Sequence, residues 1–149
     1  ATSPYFINIG RSRFEGVELE AEYGARGFFA RGSLAIIDGR DRLNDEYLNT
    51  IPANDYNLTL GYSDPASGLS GGWSGEFAEA QDRVSTPTLA TPGYSVHDLF
   101  FAFSPQQGAA RGFEFRVGID NVFDKYFQRH LSSLPAEGRT FKFTIAAGF

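Results

Sequence analysis

Phe113-Glu114-Phe115-Arg116-Val117-Gly118-Ile119-Asp120 and Phe141-Lys142-Phe143-Thr144-Ile145-Ala146-Ala147-Gly148-Phe149 share one rhythm. In the first run Phe113, Phe115, Val117 and Ile119 alternate with Glu114, Arg116, Gly118 and Asp120. In the second, Phe141, Phe143, Ile145, Ala147 and Phe149 alternate with Lys142, Thr144, Ala146 and Gly148. Successive side chains leave a strand on opposite faces, so a period of two predicts β-structure. Each run then has one aromatic and aliphatic face and one that is charged, hydroxylated or small. Lipid outside and a watery lumen inside would demand that division, the pattern of a transmembrane β-barrel. A strand of a soluble β-sandwich alternates in the same way, so the rest of the chain must decide.

Composition narrows the choice. The 149 residues suffice for one domain, and the absence of Cys and Met rules out disulfides, thiolate metal sites and thiol chemistry. Fifteen Phe, seven Tyr and seventeen Gly suit strands with aromatic girdles and bends. A net charge of −5 without a basic stripe gives phosphates nothing to bind, so no nucleic-acid partner is expected. No apolar run approaches the ~20 residues of a spanning helix, but barrel strands alternate and never produce such a run. Ala1-Thr2-Ser3-Pro4 lacks the charged start and apolar core of a signal peptide, so the sequence reads as a mature form or a fragment.

Seven strands follow from the same alternation: residues 5–23, 28–38, 55–63, 72–84, 94–104, 113–120 and 141–149. Gly10 and Gly16 are bend points in the first. Tyr56, Leu58, Leu60 and Tyr62 share a face opposite Asn57, Thr59 and Gly61. The connections alternate in length. Residues 24–27, 64–68 and 105–112 are short turns, whereas 39–53, 85–93 and 124–138 are longer and polar. Outer-membrane barrels have this asymmetry, with short periplasmic turns and long external loops. The predicted strands also exceed the ~5–6 residues usual in globular proteins and approach the ~9–11 needed to cross a bilayer.

Several segments resemble a known family. Asn8-Ile9-Gly10 with Gly16-Val17-Glu18-Leu19-Glu20 resembles a strand of TonB-dependent outer-membrane receptors, and Gly118-Ile119-Asp120-Asn121-Val122-Phe123-Asp124-Lys125-Tyr126 resembles their penultimate strand. Gly138-Arg139-Thr140-Phe141 resembles the opening of their last strand, and Phe149 their barrel-assembly signal. Ala80-Gln81-Asp82-Arg83-Val84 and Thr91-Pro92-Gly93-Tyr94-Ser95-Val96-His97-Asp98 are most similar to the haem and haemoglobin receptors. Siderophore receptors of the same family share much of this pattern.

The resemblance implies an all-β chain. About seven antiparallel transmembrane strands would form the C-terminal part of a 22-stranded outer-membrane barrel, with residues 1–149 lacking the plug domain and the earlier strands. It implies transport rather than catalysis, with no intrinsic cofactor and haem as the transported ligand. The implied partners are the TonB complex, haem or a haem-carrying protein, and outer-membrane lipid. An autonomous eight-stranded barrel is the rival reading, and it needs the first strand split at Gly10 or Gly16.

Candidate chemistry is sparse. Glu18, Glu20 and Glu22 share a strand face and are read as solvated or paired with plug cations. Glu114, Arg116, Asp120 and Lys142 are expected to form modest ion pairs across the last two strands. His97 shares a face with Leu99, Phe101 and Phe103, which assigns it to the lipid side. His130 lies in the last long loop beside Arg129 and Tyr126, and Tyr47 lies in the first. Imidazole and phenol groups can both bind haem iron, and Arg129 adjoins His130 in the same loop, so these four residues are the candidate ligand contacts. Two scattered histidines provide no Ser-His-Asp arrangement.

Overall fold

The computed structural model describes residues 11–148. Asn8-Ile9-Gly10 and Phe149 lie outside the described residues. Seven long strands form one antiparallel sheet: β1 (Ser12–Ala25), β2 (Phe28–Asp41), β4 (Asp55–Asp64), β5 (Leu69–Ala78), β6 (Tyr94–Phe103), β7 (Phe113–Asp120) and β8 (Thr140–Ala147). A two-residue strand, β3 (Glu46–Tyr47), folds back onto β2 outside this order. The long strands are neighbours in chain order, as hairpin connections require.

Register carries the alternation across the sheet. Tyr23, Ala30, Leu60, Trp73, Leu99, Ile119 and Phe141 are consecutive cross-strand partners, forming one apolar row from β1 to β8. The next row, on the opposite face, reads Glu22, Arg31, Thr59, Ser74 and Asp98. A one-residue slip in any pairing would exchange the two faces. On the apolar side Phe28 packs edge-on to Tyr62, and His97 sits among Trp73, Phe77 and Phe123. His97 thus lies on the apolar face, as its parity predicts.

No second layer covers this face among the described residues. The buried apolar residues of the described chain are Leu48, Ile51, Val96 and Phe127, all at the long-loop end and none of them on this face: Val96 pairs with Glu76 on the polar side and the other three lie in loops. Meanwhile Tyr23, Phe28, Leu60, Leu99, Phe141 and Phe143 remain exposed along the sheet. Such a continuous apolar surface far exceeds what a soluble monomer carries, and a sandwich would bury it against a facing sheet. Nor does the sheet close among the described residues: β1 and β8 are its two edges there, and β1 runs unbroken through Gly16. The split that an eight-stranded barrel needs is therefore not made at Gly16.

Two strands, β5 and β2, have bounds three or more residues away from the sequence reading. β5 covers Leu69–Ala78 rather than residues 72–84. Its start is early because the Asp64 carboxylate accepts from Ala66 N–H at 3.0 Å and the Asp64 carbonyl from Gly68 N–H at 2.9 Å, which closes a tight turn. Its end is early because Gln81 leaves the sheet to pair with Thr91. β2 runs on to Asp41, since β3 offers it a partner beyond residue 38. The alternation of turn lengths is as expected.

Among the predicted ion pairs, Lys142 meets Asp120 across β7 and β8, while Arg116 pairs along its own strand with Glu114 at 2.7 Å. Glu22 faces Arg31 on β2 and bonds it at 3.0 Å. All are solvent-accessible pairs of small energetic weight.

Candidate ligand site at the long-loop end

Three long connections meet above the polar face: residues 42–54, 79–93 and 121–139. Side-chain hydrogen bonds tie them together. The Asn49 amide donates to Thr86 Oγ1 at 3.0 Å, and its Oδ1 accepts from Ser85 and the Thr86 N–H. Gln81, fully buried, donates through Nε2 to the carbonyls of Ile51 and Pro52, both at 2.8 Å. Arg83 donates to Asn54, which donates in turn to Glu79. Polar groups removed from water must find partners, and here each loop supplies the partners of another.

A cleft of about 310 Å³ opens between this cap and the wall, lined in part by Asp55, Glu76, Thr91, Tyr94, Arg129 and His130. Arg129 grips Glu76 through two bonds, Nε to Oε1 at 3.2 Å and Nη2 to Oε2 at 2.6 Å. The forked geometry suits a planar guanidinium against a carboxylate. The Tyr94 hydroxyl donates to the same Oε1 at 2.7 Å, and the Tyr94 ring lies 4.4 Å from that of Phe127. Glu76 stabilises the charged form of Arg129, raising its pKa above the usual guanidinium value.

His130 is held at both ring nitrogens. Nε2 lies 2.9 Å from the Asn49 carbonyl, and Nδ1 lies 3.2 Å from Thr91 Oγ1. A carbonyl can only accept, so Nε2 carries the proton in the neutral ring, and Nδ1 accepts from the Thr91 hydroxyl. His130 therefore joins all three loops.

Of the four candidate contacts, Arg129 and His130 share the cleft, whereas Tyr126 and Tyr47 are not among its lining residues. Tyr126 is 77% exposed. Tyr47 lies on β3 under Arg40, which donates to its hydroxyl at 2.7 Å with the guanidinium carbon 4.1 Å from the ring centroid. Glu76, Tyr94, Thr91 and Asn49 were not singled out from sequence. Strand parity alone puts Glu76 on the polar face and could have found it. Thr91 and Asn49 carry no such signal.

Glu79 gives the cap a pH dependence. The Tyr56 hydroxyl and the Asn54 amide donate to its carboxylate, at 2.7 and 2.9 Å, and Arg83 adds a smaller charge effect. Together they lower its pKa below the ordinary 4.5. A depressed carboxylate pKa adds stability above the unfolded value, and that stability is lost as pH falls through the folded value. Limited proteolysis of the loops should accelerate below about pH 4.5, and Glu79→Gln should flatten this acid response.

A single antiparallel sheet of long strands, apolar on one face and polar on the other, with short turns at one end and a loop cap at the other, is a section of outer-membrane β-barrel wall. The family model described as "TonB dependent receptor-like, beta-barrel" matches residues 1–122, and the chain belongs to that family. Barrels of this family reside in the outer membrane of Gram-negative bacteria, and this chain is an outer-membrane protein. It is 28% identical over 162 residues to the TonB-dependent heme receptor A of Haemophilus influenzae, covering 97% of this chain and 22% of that protein. It is also 28% identical over 144 residues to the hemin receptor of Yersinia enterocolitica, covering 97% and 21%. Among solved structures, the copper transporter OprC superposes with a TM-score of 0.82 at 25% identity, over 93% of this chain and 24% of that one. The chain thus spans about a fifth of the length of the curated relatives it matches.

Proposed function

We propose that this chain is the C-terminal wall and outer-loop section of a 22-stranded receptor that takes up haem with energy from TonB. It performs transport rather than catalysis. The supporting observation is that relatives matching 97% of the chain are named heme and hemin receptors. The chemistry of the chain agrees. Copper(I) favours soft sulfur ligands, and this section of the receptor contributes neither Met nor Cys. Its cleft instead offers an imidazole, a guanidinium and an aromatic ring, groups suited to an iron porphyrin bearing carboxylates. Outer-membrane lipid covers the apolar face, and the plug and earlier strands belong to the remainder of the receptor.

In this reading Arg129 and His130 are the inner contacts, with Tyr126 exposed in the last loop and Tyr47 held under Arg40, both outside the cleft lining. Iron would approach His130 at Nδ1, the nitrogen with the lone pair, displacing only the Thr91 hydroxyl. His130→Ala in the full-length receptor should weaken haem binding about tenfold and alter the haem absorption spectrum. Binding unchanged in strength and spectrum would remove His130 from the site. A receptor that takes up a ferric siderophore and binds no haem would overturn the ligand assignment.

A further inference from the structure

One row of the polar wall carries no polar side chain from β1 to β7. Gly24, Phe29, Gly61, Gly72, Phe100, Gly118 and Lys142 are consecutive cross-strand partners from β1 to β8. Above it lie Glu22, Arg31, Thr59, Ser74 and Asp98; below it lie Ser63, Ser70, Ala102, Arg116 and Thr144. Phe29 and Phe100 reach toward each other across the two central glycines. Their rings are near parallel, 27° apart, with centroids at 6.5 Å. The glycines make this possible. A Cβ on Gly61 would come within 2.2 Å of the Phe29 ring, and one on Gly72 within 2.6 Å of the Phe100 ring. No real Cβ contact is that short, so a side chain at either position would push a ring away. The Arg31 guanidinium, bonded to Glu22, stands 5.3 Å from the Phe29 centroid.

We infer that Phe29 and Phe100 form an aromatic shelf on the lumenal wall, a second contact station for a planar apolar ligand that carries carboxylates. The inference deepens the haem reading and rests on it. Its position supports the role. Phe100 lies six residues along β6 from Tyr94, about 20 Å along the strand from the loop cleft toward the short-turn end. Phe29 sits just inside the turn between β1 and β2. A molecule captured at the loops would reach the shelf late in its passage. Flat rings gain dispersion and quadrupole attraction from a stacked porphyrin, while Arg31 can meet a carboxylate at its edge. The surrounding rows offer hydroxyls and charges, so the shelf is an apolar stopping point in a hydrated wall. A shelf of this kind binds weakly enough to release its guest, as a route must.

The test uses the full-length receptor in cells, with haem as probe and uptake normalised to receptor number at the surface. Replacing both rings, Phe29→Ala with Phe100→Ala, should leave surface capture unchanged and slow uptake by about threefold to tenfold. Phe29→Leu with Phe100→Leu keeps bulk without aromatic faces and should show most of that loss. Normal capture with normal uptake in both variants overturns the shelf. Uptake that falls only in proportion to lost thermal stability also overturns it, because the rings would then pack against another part of the receptor chain. A parent receptor that captures no haem defeats the broader reading instead, and the two failures are distinct.

Discussion

Asn121→Ala is expected to destabilise the receptor by about 3–5 kcal/mol, the largest effect of any single substitution considered. Asn121 is only 3% exposed. Its Oδ1 accepts from the Lys125 N–H at 2.8 Å, and its Nδ2 donates to the carbonyls of Lys125, at 2.8 Å, and Glu137, at 3.2 Å. Its own N–H donates to Asp98 at 2.8 Å. One side chain thereby closes the 121–125 turn and pins the far end of the loop just before β8. Its φ of 51° lies in the left-handed region, which Asn tolerates and Ala resists. Alanine would leave three backbone groups without partners, each costing about 1–3 kcal/mol when shielded from water. Asn121→Asp should cost about as much as alanine near neutral pH, since it keeps the acceptor for Lys125 but turns a carboxylate oxygen toward the two carbonyls that the amide served. Denaturant midpoints of the full receptor in detergent would measure both. An alanine variant as stable as the parent would show that the turn does not depend on this side chain.

The same residue shows which features could be read without coordinates. Asn121 was visible as part of a family-like string, yet nothing local says that its amide reaches Glu137, sixteen residues on. The faces of the sheet were legible because parity survives any antiparallel register that keeps one side apolar. Phe115, Val117 and Ile119 face outward for the same reason that Leu58 and Leu60 do. Loop lengths were legible too, since turn residues interrupt the alternation. The end of β5 was not, because it is decided by a pairing between Gln81 and Thr91 in a segment without periodicity. The cap was the least legible part. His130 meets residues 39 and 81 positions away, distances at which side-chain type alone says nothing of contact. For that reason the sequence identified His130 as a candidate but could not show that both of its nitrogens hold loops together. Tyr126 and Tyr47 were chosen for their ligand chemistry. The exposure of Tyr126, the seat of Tyr47 under Arg40 and the absence of both from the cleft lining depend on loop folding that no pattern encodes.

Gln81→Ala should open the cap while sparing the wall, by about 3 kcal/mol or a roughly hundredfold larger open population of the loops. The side chain is fully buried and all its partners lie in loops: the Ile51 and Pro52 carbonyls at Nε2, and the Arg83 N–H at Oε1, 3.2 Å away. Its backbone pairs with Thr91 in both directions, at 2.9 and 3.0 Å, and this pairing alone would remain. Alanine orphans two carbonyls and one N–H and leaves a void beneath Ile51. Gln81→Glu is the sharper probe. A carboxylate can only accept, so it would face two carbonyls that also only accept, and repulsion would be added to the lost bonds. Glutamate should therefore be worse than alanine near neutral pH and recover partly in acid, where a protonated carboxyl can donate once more. Tryptic cleavage at Arg83 and Arg129 in the intact receptor should speed up in the order parent, alanine, glutamate, with the melting of the barrel itself little changed. Haem capture should weaken in the same order, because Asn49, Thr91 and His130 would no longer be held in register. Equal cleavage rates in all three proteins would mean that the loops are not held by Gln81. Faster cleavage with unchanged capture would separate the cap from the ligand site.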